Sequence, residues 1–161
     1  GDGYNYGLEI DSKIKLTSTI LLRSSLGLLN TNVDKYLFDS GMETVTLGGR
    51  EQAVSPNYNF NLGIDYSQSN GLFAKFDISG KDDYFYSESH NQKSDPYLVS
   101  NAEIGLKRKA WSLSAWCKNI FNKNYPVRGF YFGLEPPNYS DKLYIQWSDP
   151  KHYGITLSYQ F

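Results

Sequence analysis

The strongest constraint in this sequence is an alternation of apolar and polar residues that recurs along the chain. Residues 58–66 read YNFNLGIDY, in which Tyr58, Phe60, Leu62, Ile64 and Tyr66 alternate with polar or small residues. Successive side chains of a β-strand point to opposite faces, so a period of two indicates a strand with one apolar and one polar face. The pattern predicts an all-β protein.

The same alternation defines about seven long strands. We predict them over residues 3–16, 18–31, 57–67, 71–86, 97–107, 110–121 and 151–161. Several are longer than the usual strand of about 5–6 residues. They match the roughly 9–11 residues that a tilted strand needs to cross a bilayer. We therefore expect an antiparallel up-and-down meander of about seven long strands.

The connections between these strands alternate between short and long. Short turns lie near Thr17, at SQSNG (67–71) and at KRKA (107–110), whereas long segments follow the second, fourth and sixth strands. The last of these runs from Asn122 to Pro150. Short turns at one end and long loops at the other are typical of outer-membrane barrels.

Composition removes several other classes. The net charge is −1, so the chain lacks the excess of basic residues that is typical of nucleic-acid-binding proteins. Its one cysteine, Cys117, has no partner for an internal disulfide. No segment approaches the eighteen or more apolar residues of a spanning helix. Mean hydropathy is −0.52, which a membrane barrel tolerates because only alternate residues face lipid.

Alternation alone fits two structures, a soluble lipocalin-like barrel and a membrane barrel. In the first the apolar face points inward, and in the second it points to lipid. Aromatic residues near strand ends favour the membrane barrel, because interfacial aromatic girdles lie there. We expect one continuous apolar surface that includes Leu62, Phe76, Ile104, Leu113 and Leu157, opposite Asp65, Asp77 and Glu103.

The sequence ends in HYGITLSYQF, residues 152–161, a two-faced strand with a terminal aromatic residue. This ending looks like the C-terminal signal by which barrel-assembly machinery recognises outer-membrane proteins. The residues that match its pattern are His152, Gly154, Leu157, Tyr159 and Phe161.

Three stretches together resemble TonB-dependent receptors. NIFNKNY (119–125) is similar to their Asn-Leu-Phe-Asp-Lys-x-Tyr motif, with Ile120 for Leu and Asn122 for Asp. GREQAVSPNYNFNLGIDY (49–66) resembles a long loop entering a descending strand, and SDPKHYGITLSYQF (148–161) resembles their closing strand, with Ser148 and Lys151 as departures. The resemblance extends over nearly the whole chain.

The resemblance implies a transmembrane barrel of about 22 strands around an N-terminal plug. Residues 1–161 would be the C-terminal portion of that barrel, without plug, signal peptide or TonB box. It further implies the outer membrane of a Gram-negative bacterium, energised uptake of a ferric siderophore or another bulky nutrient, and contact with TonB through the missing N-terminal part. The alternative is a smaller outer-membrane barrel, either an adhesin or a membrane enzyme.

The candidate ligand-binding residues lie in the long loops, where arginine and aromatic residues are typical of recognition surfaces. They are Tyr84, Tyr86, His90, Arg128, Tyr131 and Trp147. The last long segment is equally compatible with an aromatic belt or an extended hairpin.

We expect no catalytic residue, cofactor or metal. His90 lies near scattered carboxylates without the spacing of metal ligands, so a solvated loop is the simpler interpretation. Cys117 lies on the lipid-facing set and has no candidate base beside it.

Overall fold

The computed structural model describes residues 2–39 and 44–161, which form eleven β-strands. The long strands are β1 (Gly3–Lys15), β2 (Ile20–Val33), β5 (Tyr58–Ser67), β6 (Leu72–Lys81), β7 (Tyr97–Lys107), β8 (Trp111–Lys118) and β11 (His152–Tyr159). The shorter ones are β3 (Tyr36–Asp39), β4 (Thr44–Leu47), β9 (Pro126–Phe132) and β10 (Lys142–Trp147). Among the described residues no helix is long and apolar enough to span a membrane.

The seven long strands form one antiparallel sheet in the order β1-β2-β5-β6-β7-β8-β11. The strands β3 and β4 pair only with each other, as do β9 and β10, so each pair is a separate hairpin inserted in a long connection. The predicted meander of sequential nearest neighbours is therefore confirmed. The large antiparallel sheet also confirms the predicted all-β class.

Some predicted bounds were wrong. The second strand begins at Ile20 and continues to Val33, and the predicted strand 71–86 ends at Lys81. The register explains the latter, because Lys81 pairs with Tyr97 at the start of β7 and no partner strand extends further. The strand predicted over 110–121 ends at Lys118, where Asn119 takes a positive φ of 50° that interrupts extended backbone.

The register across the sheet separates two faces. One row joins Ile14, Leu22, Ile64, Phe76 and Ala102. We call this side, which also carries Leu62, Ile104, Leu113 and Leu157, the apolar face. Leu62 and Ile104 are 51% and 56% exposed. The expected continuous apolar surface is confirmed, because adjacent strands pair with matching parity.

The neighbouring row joins Lys13, Arg23, Gly63, Asp77 and Asn101 on the opposite side, the polar face. The alternation of the sequence is thus preserved across five neighbouring strands. Trp116, which shares its parity with Ser112, Ser114 and Lys118, lies opposite Glu103 on this polar face.

All the long connections leave the sheet at the same end. They join β2 to β5, β6 to β7 and β8 to β11, whereas residues 16–19, 68–71 and 108–110 are short turns at the other end. Residues from two of these connections contact side chains of the polar face. There the backbone N–H of Gln52 donates to Thr31 Oγ1 at 3.0 Å, and the Lys81 ammonium lies 4.4 Å from the centre of the Tyr84 ring.

Candidate ligand-binding loops and polar wall

An ion triad occupies the centre of the polar face. Arg23 donates from Nε and Nη2 to the two carboxylate oxygens of Asp65 at 2.8 and 2.9 Å, and from Nη2 to Asp77 Oδ1 at 2.9 Å. Gly63 lies between Arg23 and Asp77 in the register. A Cβ at Gly63 would lie 2.7 Å from Arg23 Nη2, so glycine leaves room for the guanidinium to cross β5.

A second glycine makes room for an aromatic side chain on the polar face. The Trp116 ring lies over Gly154, where an added Cβ would come within 2.5 Å of it. Trp116 Nε1–H donates to Thr156 Oγ1 at 3.1 Å, and the His152 ring meets Trp116 edge-on with centroids 5.7 Å apart. The indole is thereby fixed against β11 on the polar face.

Asn119 ties together the base of the β9–β10 hairpin. Its Nδ2 donates to the carbonyl oxygens of Lys123 at 2.8 Å and Asp149 at 3.0 Å, and its Oδ1 accepts from the Lys123 N–H at 2.8 Å. Asn122 Oδ1 accepts from the Lys151 N–H at 2.8 Å. Two of the three asparagines of the NIFNKNY stretch, Asn119 and Asn122, therefore join the beginning and the end of this long connection.

Tyr84 and Tyr86 are the buried apolar side chains of the described residues, with exposures of 2% and 7%. Their rings pack edge-on, 5.7 Å apart, and burial raises the pKa of both hydroxyls. The Tyr86 ring also lies against Gly129 of β9, where any side chain would overlap it. In this structure the two side chains form the core of the loops, and the ligand contact expected of them from the sequence stays a prediction.

His90 and Tyr131 are brought together as the sequence could not foresee. Their rings stack in parallel with centroids 3.5 Å apart. His90 Nε2 lies 3.3 Å from Asp141 Oδ2, and the Tyr131 hydroxyl donates to Gln92 Oε1. These contacts join the β6–β7 loop (residues 82–96) to the β9–β10 hairpin, so both side chains make contacts within the protein.

The β6–β7 loop is joined to the β4–β5 loop (residues 48–57) through the Phe85 ring. The Arg50 guanidinium lies 4.2 Å and the Lys93 ammonium 4.5 Å from the ring centre. Lys93 also bridges Asp83 at 2.9 Å and Glu51 at 3.0 Å. We call this group, Arg50, Glu51, Asp83, Phe85 and Lys93, the Phe85 clasp.

Charge and hydrogen bonding within the clasp change two pKa values. Hydrogen bonds to Asp83 and then to Glu51 raise the pKa of Lys93. A hydrogen bond from Asn57, followed by that from Lys93, lowers the pKa of Glu51. Both ions are therefore favoured in their charged forms, as expected of a pair that bonds in the folded state.

The β9–β10 hairpin leaves one side exposed. Arg128, Phe130 and Phe132 alternate along β9 opposite to Gly129 and Tyr131, and Phe130 stacks on Tyr144 of β10 at 5.7 Å. Phe130 and Phe132 are 48% and 43% exposed. We call these four residues, Arg128, Phe130, Phe132 and Tyr144, the exposed hairpin face. Of the six predicted ligand residues, Arg128 lies on it, and Trp147 is exposed at the end of β10.

The residues of the expected assembly signal lie on both faces of β11. His152 and Gly154 share the polar face with Trp116, whereas Leu157 and Tyr159 pair with Leu113 and Trp111 on the apolar face. Phe161 is fully exposed, and its ring meets Tyr159 at 5.2 Å. Their recognition by assembly machinery stays a prediction.

Within residues 2–39 and 44–161, no group of three or more histidine, cysteine or acidic side chains is placed to hold a metal ion.

Sequence reasoning missed Arg50, Phe85 and Lys93. The residues that Arg50 bonds lie 37–41 positions away, at Ser87, Glu88 and Asn91. No periodic pattern links such distant positions, so only a signal of paired change between relatives could have found them.

Comparison with known proteins identifies similar barrels. The family model described as "TonB dependent receptor-like, beta-barrel" matches residues 1–120. Two solved structures share the fold: the ferric yersiniabactin uptake receptor FyuA from Yersinia pestis and the siderophore receptor PiuA from Acinetobacter baumannii. Each aligns with a TM-score of 0.74 at 13% identity over 96% of this chain. The chain spans 23% of the first and 21% of the second.

Proposed function

This chain belongs to the TonB-dependent receptor-like β-barrel family. On that premise we propose that it is part of a receptor that imports a scarce, bulky nutrient. The TonB complex would supply the energy for import. Family members are receptors of the Gram-negative outer membrane and not enzymes. The alternative of a small outer-membrane adhesin or membrane enzyme is therefore set aside.

The two-faced sheet is the observation that carries this proposal. The apolar face leaves large side chains such as Leu62, Ile104 and Leu157 exposed, whereas the polar face carries the Arg23 triad. Exposed apolar area of this extent is stable against lipid and costly in water. Outer-membrane lipid is thus the partner of the apolar face, and the polar face lines the lumen.

We place residues 1–161 in the C-terminal part of the barrel domain. The described sheet has β1 and β11 at its edges. Backbone groups at an open edge are unsatisfied within a bilayer, so further strands are needed beside both. A sheet of seven strands supports the view that this is one portion of a larger barrel.

The ligand we propose is a ferric siderophore. One of the structurally similar proteins is named as a siderophore receptor and the other as a ferric yersiniabactin uptake receptor; at 13% identity both support the fold while leaving the ligand a proposal. The exposed hairpin face, with Arg128 beside three aromatic rings, suits a negatively charged chelate that carries flat apolar groups.

Uptake of radiolabelled ferric siderophores tests the function. The full-length receptor is expressed in a Gram-negative strain that lacks its own siderophore receptors, and a panel of siderophore classes is supplied. We expect uptake of at least one class, abolished when TonB is deleted. The proposal would be contradicted if binding and uptake were unchanged in the strain without the receptor, or if deletion of TonB left uptake unchanged.

A further inference from the structure

We propose that the β4–β5 loop, the β6–β7 loop and the β9–β10 hairpin form one preassembled body, coupled through the Phe85 clasp and the His90–Tyr131 stack. The β6–β7 loop is its central member, because it contacts both of the others. As one body, the three connections hold the exposed hairpin face in a fixed orientation. This inference concerns the mechanics of the loops and does not depend on which ligand is imported.

The first joint links the β4–β5 loop to the β6–β7 loop with many bonds. Arg50 donates to the carbonyl oxygens of Ser87 at 2.8 Å and Glu88 at 2.6 Å. The Ala53 N–H donates to Glu88 Oε1 at 2.7 Å, and the Val54 N–H donates to the carbonyl oxygen of Phe85 at 2.9 Å. All four bonds are donated by the β4–β5 loop to the β6–β7 loop, two from a side chain and two from the backbone, and breaking them makes separate movement of these loops costly.

The Phe85 ring is the common element of this joint. Two cations from different loops, Arg50 and Lys93, lie within 4.5 Å of its centre. An aromatic ring attracts cations through the negative charge of its face, which an aliphatic side chain of similar size lacks. Lys93 is further fixed by Asp83 and Glu51, so the ring, the cations and the carboxylates support one another.

The second joint links the β6–β7 loop to the hairpin. It consists of the His90–Tyr131 stack, the Tyr131–Gln92 hydrogen bond and the Tyr86 ring against Gly129. Tyr131 and Gly129 occupy the side of β9 opposite Phe130. One side of the hairpin is therefore used for attachment, and the other, the exposed hairpin face, is presented.

The inference assigns positioning roles to Arg50, Phe85 and Lys93, and to His90 and Tyr131, instead of direct ligand contact. Two of these, His90 and Tyr131, were candidates for ligand binding from sequence. Their side chains meet each other across two connections, which explains their aromatic character without a ligand.

Hydrogen–deuterium exchange of the full-length receptor in lipid nanodiscs tests the coupling. Phe85→Leu keeps apolar volume but removes the ring face, whereas Phe85→Tyr keeps both. We expect Phe85→Leu to raise exchange roughly tenfold in all three connections, 48–57, 82–96 and 126–147. Phe85→Tyr should exchange like the wild type, a rescue that simple space filling does not predict.

Phe130→Leu is the matched control, because Phe130 also has a nearby arginine, at 6.0 Å, but lies on the exposed hairpin face. It should leave exchange in 48–57 and 82–96 unchanged. An increase confined to 82–96 in Phe85→Leu, or an equal increase in the control, overturns the inference. If Phe85→Leu does not reach the membrane, Arg50→Gln removes one cation without changing the core and is read by the same criteria.

Discussion

The Arg23 triad offers the most direct measure of how the polar face is stabilised. Arg23 makes two hydrogen bonds to Asp65 and one to Asp77, all between 2.8 and 2.9 Å. The three side chains are 31%, 25% and 26% exposed. The triad is thus intermediate between exposed pairs, worth at most about 1 kcal/mol, and buried pairs, whose breakage costs about 3–5 kcal/mol.

From this geometry we expect Arg23→Gln to destabilise the receptor by about 2–3 kcal/mol, because two carboxylates then face each other without a cation. In a double-mutant cycle, the coupling of Arg23 to Asp65 should be about 1.5–2 kcal/mol, and to Asp77 about half of that, in proportion to two bonds and one. The effect of Asp77→Asn on the free energy of unfolding should also change sign. The substitution should destabilise the wild type but stabilise Arg23→Gln, where it removes the repulsion between the two carboxylates.

The assay is equilibrium denaturation of the full-length receptor reconstituted in lipid, with each single and double variant compared. Lys75 and Glu103 supply the internal control, since they are 3.5 Å apart with side chains 46% and 31% exposed. Their coupling should be below about 0.5 kcal/mol. Equal coupling for this pair and for Arg23–Asp65, or no sign change at Asp77, would refute the reasoning.

Three further outcomes are expected. Gly129→Val should detach the hairpin from the β6–β7 loop, because the valine side chain would overlap the Tyr86 ring. Limited proteolysis of this variant should then cut within 126–147. The smaller side chain of Gly129→Ser should lead to less cleavage there. Deletion of Phe161 should lower outer-membrane abundance at equal synthesis but leave the melting temperature unchanged, since this side chain is fully exposed; unchanged abundance would contradict the assembly role. The folded-state pKa of Glu51 is below its ordinary 4.5, so its stabilisation is present above about pH 4.5 and is lost as pH falls through the folded value. The protection of the amides in 48–57, corrected for the intrinsic pH dependence of exchange, should accordingly fall in acid, and Glu51→Gln should remove that response.

The sequence alone determined the number and approximate positions of the seven long strands, their two faces and the meander. These depend on local information: a period of two assigns each side chain to a face, and a turn of a few residues forces neighbouring strands to pair. The face of Arg23 was predictable from its parity. That it meets both Asp65 and Asp77 depended on the register and on the missing side chain of Gly63.

Only the tertiary structure decided what the loop residues do. Tyr84 and Tyr86 are aromatic residues of a long loop, yet they are buried, because the β9 backbone at Gly129 packs against Tyr86 and the Tyr86 ring packs against Tyr84. Arg50 and Phe85 come together from positions 35 apart. Contacts between separate connections leave no periodic trace in the sequence, because they depend on how whole loops pack and not on the spacing of residues within one strand.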